Sequence, residues 1–324
     1  MTFPKSFSVA PMMNCTDRHA RYFMRLISHN TILYSEMITT SAILHGDRQK
    51  YLSYNTIEHP IVLQIGGSNP NDFAKSCDIV NNYGYDAINI NCGCPSKRVQ
   101  KAEFGISMMK NPKLVAQCIQ LMIKNTNIPI SVKNRIGIDN HASYDNLKKF
   151  TEIVANAGCR KFIVHARKAY LNGISPKENR CIPPLQYDFV YKLKEDFKEL
   201  EIIINGGITS LDESKKHLQY VDGVMIGREV YSNPYILATV DNDFYDDKRD
   251  IKSRYDIIKL MIPYLKKNIR YEKNQQKITH ITRHMLGLFY NQIGAKKWRK
   301  YLMNTSAEQV MNDFQDIYTK LLII

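Results

Sequence analysis

Eight short runs rich in apolar and β-branched residues alternate with helix-patterned stretches along this chain, and that alternation constrains the fold more than any other feature. The runs are Phe7–Met12, Ile32–Met37, Ile61–Ile65, Ala87–Asn91, Ile130–Arg135, Lys161–Ala166, Glu201–Asn205 and Gly223–Gly227. Stretches such as Pro112–Asn125, Tyr144–Ala157 and Leu211–Tyr220 carry helical periodicity between them. Eight such units predict an α/β protein built on a closed parallel (β/α)8 TIM barrel. The rival, a doubly wound open sheet, normally has a glycine-rich fingerprint after its first strand, and SVAPMMNCTD contains no glycine.

A chain of 324 residues exceeds the roughly 250 that one barrel needs. The strand pattern stops near Arg228, and periodic stretches at 250–270, 279–292 and 306–323 predict a small α-helical domain. The expected division is a barrel over 1–240 and a helical domain over 241–324, joined through the polar segment Asp241–Asp250. Charge is asymmetric in the same sense. The last 74 residues hold 14 Lys and Arg against 5 Asp and Glu, a net +9 of the chain's +14. Such a bias fits a polyanion, nucleic acid before a membrane surface, although a solvated basic face has the same composition. No apolar run approaches the roughly 20 residues of a bilayer span and the first residues lack a signal-peptide pattern, so a cytoplasmic protein is expected. No heptad seam is visible, and a monomer is the expectation. The seven cysteines are odd in number and never spaced CxxC, which argues against a disulfide framework and against zinc; no metal site is expected.

Barrel active sites form where the strands end, and here those ends are polar. Strand 1 closes in Pro11-Met12-Met13, strand 3 in Gln64, strand 4 in Asn89 and Asn91, strand 5 in Lys133 and Arg135, and strand 6 in His165. Strand 7 closes in Asn205-Gly206-Gly207 and strand 8 in Gly227-Arg228. Convergent amides and bases on one rim predict a polar ligand. Backbone N–H groups bared by the glycines, with Arg228 beside them, suit a phosphate, though glycine also serves any tight strand-to-helix turn. A buried Lys133 needs an anion; a lysine snorkelling from a strand end does not. Just past strand 4 lies Cys94, in a loop set by Gly93 and Pro95, where a thiol suits general acid work better than metal binding.

These strand ends, with the words APMM and TD, LQIGG, NINCGCPS, SVKNRIG, FIVHARKA, INGGI and GVMIGRE, resemble the flavin-dependent tRNA-dihydrouridine synthases. The segments LNGISPKENR and HITRHMLG are similar to the A branch, which modifies D-loop positions 20 and 20a. The resemblance implies FMN held by Pro11, Met12, Met13, Gln64, Lys133, His165, Asn205, Gly206, Gly207, Gly227 and Arg228. It implies NADPH as reductant, Cys94 as the acid that protonates C5 of uracil, and hydride delivery to C6. Cys92 is given no role. Asn91 would meet the uracil edge, and Lys177, Arg180, Arg283, Lys296, Lys297 and Arg299 would grip tRNA phosphates, with Trp298 stacking or packing nearby. The loop Lys101–Gly105 is less glycine-rich than in many relatives, which bears on its shape. Two alternatives remain at this point. One is a small-molecule flavin oxidoreductase of the dihydropyrimidine or dihydroorotate dehydrogenase type, which has no need of a basic domain; the other is a non-catalytic tRNA-binding protein.

Overall fold

The structure, a computed structural model, describes residues 5–271 and 278–304. Eight parallel strands run β1 (Ser6–Val9), β2 (Leu33–Thr39), β3 (Ile61–Gly66), β4 (Ala87–Cys92), β5 (Ile130–Arg135), β6 (Lys161–His165), β7 (Glu201–Asn205) and β8 (Gly223–Ile226). Each pairs with its neighbour in sequence, β8 pairs with β1, and the ring closes where Val9 N donates to Ile32 O and Ile32 N to Phe7 O, both 3.0 Å. The barrel is therefore the expected one. β1 ends before the expected Met12 because Pro11 has no N–H to continue the ladder, Ala10 N making its last bond, to Ile226 O at 2.8 Å.

The helices of the barrel start where capping residues release them from the strand ends. Asn69 caps α2 (Pro70–Val80) and Asn111 caps α3 (Pro112–Asn125), each with proline following, while Ser143 caps α4 (Tyr144–Asn156) and Ser210 caps α6 (Leu211–His217). Each such cap supplies an acceptor to an otherwise orphaned N–H and contributes about 1 kcal/mol. The helix between them in sequence, α5 (Tyr187–Asp196), has no side-chain cap.

Inward and outward faces follow from the register. Gln64 pairs with Asn89, Asn91 with Lys133, and His165 with Asn205, which puts these side chains on one face, while Ile88, Ile90 and Cys92 lie on the other. The interior is filled by Ala10, Tyr34, Val62, Ile163, Ile203 and Met225. At the N-terminal end Lys161 and Glu201 form an ion pair at 2.8 Å.

The described residues pack as two compact units, one of 5–14 with 32–227 and one of 15–31 with 228–271 and 278–304. The helical unit therefore begins earlier than the expected 241 and takes in α1 (Arg18–Ile27). Asp17 caps α1, accepting from His19 N at 2.9 Å and Ala20 N at 3.0 Å. The helix packs against the segment 234–239 and against α7 (Arg254–Tyr271). Asp241, expected in a polar join, is instead buried within the helical segment Val240–Tyr245 and holds residues 28–30 by accepting from Ser28 Oγ, His29 N and Asn30 N at 2.6–2.9 Å. The stretch expected as a helix over 279–292 is broken into Thr279–Thr282 and the 3-10 turn Arg283–Met285. Gly287 follows, where a Cβ would lie 2.3 Å from Ser232 O, so the chain here is shaped by close backbone approach. A helix the periodicity did not single out, α8 (Ala295–Asn304), buries Trp298 and Leu302 one turn apart. The expected helix over 306–323 lies outside the described residues.

Candidate active site

At the C-terminal rim the barrel interior carries a relay of amides. Gln64 Nε2 donates to Asn89 Oδ1 at 2.7 Å, Asn89 Nδ2 to Ser131 Oγ at 2.9 Å, and Asn91 Nδ2 to Gln64 Oε1 at 2.8 Å. Each group is buried, and truncating one member would strand its neighbour at a cost of about 1–3 kcal/mol. Asn91 also shapes the next loop: its Oδ1 accepts from Gly93 N at 3.1 Å and Cys94 N at 3.0 Å. That leaves one Asn91 amide hydrogen for an external acceptor.

Lys133 reaches across the barrel and donates from Nζ to Asn205 Oδ1 at 2.9 Å, and Asn205 donates to Met225 O at 2.7 Å. The ammonium thus faces a neutral amide. Burial first, and then the charge of Arg135, push its pKa down to about 7 against an opposing contribution from Cys94. Arg135, 4% exposed, donates to the carbonyls of Gly93, Lys168 and Asn179, each at 3.0 Å. Two basic groups, Lys133 and Arg135, therefore sit together in low dielectric. This is an environment made for an anion.

His165 Nδ1 accepts from Arg167 N–H at 3.2 Å, which assigns the ring proton to Nε2. Its ring lies against Gly206, where a Cβ would come within 3.0 Å of Cε1. Gly206 and Gly207 have φ of +116° and +77°, and a Cβ on Gly207 would meet Leu185 at 2.6 Å, so backbone and packing both require glycine there. Gly227 differs. It has no left-handed φ, and a Cβ would make ordinary 3.5 Å contacts with Ala10 and Met12. Nothing in the barrel unit demands glycine at that position.

Pro11 and Met12 are half-buried at the end of β1, and Met13 is 56% exposed. This segment turns at Asn14, whose φ is +61°, and the Asn14 N–H donates to the carboxylate of Glu36 on β2. Glu36 was not singled out in the sequence, since nothing in LYSEMIT distinguishes a structural acceptor from a solvated carboxylate. Cys94 itself is partly accessible, and its carbonyl accepts from Ile106 N at 3.1 Å. The loop spanning Lys101–Gly105 keeps glycine where it must: Gly105 has φ +61°, and a Cβ there would be 2.4 Å from Val99. Cys92 is fully buried behind β4, where burial raises its thiol pKa well above the usual value, and it cannot serve as the rim acid.

Lys177 and Arg180 are exposed on the segment after β6, and Lys97, Arg98 and Lys101, which the sequence reading passed over, are exposed on the helical turn that follows Cys94. In the helical unit Arg228, Lys296, Lys297 and Arg299 are exposed. Arg283 is committed to Asp17 at 2.8 Å, and His284 approaches the same carboxylate at 3.0 Å; their hydrogen bonds hold the Asp17 pKa well below the usual range against its burial. Of the two expectations for Trp298, stacking or packing, its surroundings are those of packing. It is 0% exposed, donates from Nε1 to Met285 O at 2.8 Å and packs against Phe289, so it belongs to the core and is not available to stack on a base.

Two solved barrels share the fold: an old yellow enzyme homologue from Zymomonas mobilis, with a TM-score of 0.54 and 9% identity over 78% of this chain and 93% of that one, and morphinone reductase, with 0.53 and 10% over 73% and 85%. The family model described as dihydrouridine synthase matches residues 8–322, and the chain belongs to that family. Its relatives include proteins named tRNA-dihydrouridine(20/20a) synthase from Synechocystis, 52% identical over 92% of this chain and 89% of that one, and from Shewanella oneidensis, 50% identical over 98% and 95%. The Escherichia coli K12 protein of the same name is 51% identical over 91% of this chain and 85% of its own.

Proposed function

We propose that this protein reduces uridine to 5,6-dihydrouridine at positions 20 and 20a of the tRNA D-loop, using FMN and NADPH, as a monomer in the cytoplasm. The observation that carries the reading is a partly accessible Cys94 held by Asn91 at a rim where the buried Lys133 and Arg135 have no carboxylate partner among the described residues. The barrel unit would carry the chemistry and the helical unit, with its exposed Lys296, Lys297 and Arg299, would hold RNA.

The residues present suit FMN on structural grounds. Lys133 has a neutral partner where an anionic ring edge would satisfy it, the Nε2 proton of His165 adds a donor, and Gly227 offers backbone with room above it. Gln64 and Asn205 are fixed by their own hydrogen bonds, and Pro11, Met12 and Met13 supply apolar surface. Gly206, Gly207 and Arg228 complete the proposed set. These residues would hold the flavin, which would supply hydride chemistry between the nicotinamide and C6 of uracil.

The base must leave the tRNA stack to be reached, and an extruded uracil is read by its edge. The remaining Asn91 amide hydrogen suits a uracil carbonyl. Cys94 Sγ–H gives its proton to C5, the electron pair staying on sulfur, and water returns a proton to the sulfur afterwards. Lys177 and Arg180, joined by Lys97, Arg98 and Lys101, would meet phosphates flanking the base.

The test is position-resolved measurement of dihydrouridine after unmodified tRNA is incubated with protein, FMN and NADPH. Product at 20 and 20a is expected, and Cys94→Ala should lower its rate by about 100-fold or more. Product elsewhere would refute the site assignment. Flavin-loaded protein that leaves tRNA untouched but reduces a free pyrimidine would favour a small-molecule oxidoreductase.

A further inference from the structure

Arg135 is buried, yet among the described residues it has no carboxylate as a hydrogen-bond partner; it spends its donors on three carbonyls from two separate loops. Gly93 O belongs to the loop that presents Cys94, and Lys168 O and Asn179 O belong to the segment after β6 that carries Lys177 and Arg180. A second tie runs parallel: Gln100 Nε2 donates to Pro95 O at 2.8 Å and to Leu171 O at 3.3 Å. Asn179 is itself fixed, exchanging bonds of 2.8 and 2.9 Å with the Tyr170 backbone, so the clamp is rigid at both ends.

Resting on the function proposed above, we infer that Arg135 is a positioning residue that locks the Cys94 loop to the segment after β6 and so holds the thiol in place. A guanidinium suits the position because it alone offers a fork of donors together with a permanent charge, whereas lysine would keep the charge and lose most of the fork.

The experiment is kcat and KM on tRNA, with the rate of Cys94 alkylation by iodoacetamide at one fixed pH, in the FMN-loaded protein. Cys181 is exposed and Cys15 partly accessible, so modification is followed on the Cys94 peptide by mass spectrometry. Arg135→Met should lower kcat by about 100-fold with KM little changed, the scale on which a displaced reacting group costs rate. The Cys94 alkylation rate should change in the same variant, because the loop that presents the thiol is released. Arg135→Lys should leave kcat roughly 10-fold low, because the charge is kept but the loop clamp is not rebuilt. Should the Met variant not fold, Arg135→Gln replaces it with the same expected loss of kcat. A wild-type kcat in the neutral variant, or full rescue by lysine, overturns the inference. A wild type that makes no dihydrouridine, but whose Cys94 alkylation rate still depends on Arg135, would refute the proposed function while the positioning role stands.

Discussion

Gly227→Ala separates the needs of the fold from the needs of a ligand. An added methyl would touch Ala10 and Met12 at 3.5 Å, which is ordinary contact, and the backbone is not left-handed. The flavin-free protein should therefore keep its stability or gain up to about 1 kcal/mol, because alanine restricts the unfolded chain more than glycine does. The same methyl occupies the space through which the Gly227 backbone would approach a phosphate. Losing one charge-assisted hydrogen bond there costs about 1.5–3 kcal/mol. At 1.4 kcal/mol per tenfold, FMN affinity should fall by roughly 10- to 100-fold. The assay pairs the melting temperature of flavin-free protein with FMN titration followed by flavin fluorescence. Gly206→Ala is the counterpart: at φ +116° with the His165 ring 3.0 Å away, it should destabilise even the flavin-free protein. Wild-type FMN affinity in Gly227→Ala would refute the phosphate cradle, and a destabilised flavin-free form would show that the fold itself requires the glycine.

Two further outcomes are expected. In the unfolded chain Lys133 keeps its proton to about pH 10.5 and in the folded one only to about 7, so folding expels a proton in that window. Stability of the flavin-free protein should rise as pH climbs from 7 towards 10.5, the cost being fully present below 7; Lys133→Met should flatten that slope in a melting series, and an unchanged slope would remove Lys133 as its source. Trp298→Ala should destabilise the helical unit by about 3–5 kcal/mol through the cavity and the orphaned Met285 carbonyl. A variant that melts normally yet binds tRNA weakly would return the indole to the surface.

The barrel was legible because its signals are local. Each strand is a short apolar run, and the polar rim is the set of residues that close those runs, so Gln64, Asn91, Lys133, His165 and Asn205 could be named from position alone. The amide relay was foreshadowed by the same residues, but its direction, Asn91 to Gln64 to Asn89 to Ser131, depends on cross-strand register. What escaped was long-range or ambiguous in type. Asp17 finds Arg283 and His284 across more than 260 residues, and no periodicity announces such a meeting. Trp298 sits among Lys296, Lys297 and Arg299 and reads as part of a basic surface until its spacing to Leu302 is taken as one buried stripe. Glu36 and Asp241 are carboxylates that serve backbone N–H groups, and composition counts them only as charge.

The inclusion of 15–31 in the helical unit bears on how such a chain can be cut or recombined. A stop after Gly227 would not yield a clean barrel, because Phe23, Met24 and Ile27 of α1 are buried and would lose the later helices they pack with. The fragment would expose an apolar stripe and invite aggregation. A chimera that exchanges the helical unit between two family members would likewise need two breakpoints, carrying 15–31 together with everything from Arg228 onward. That unit is inherited as an interleaved pair of segments, and its evolution is tied to the first β/α crossing of the barrel.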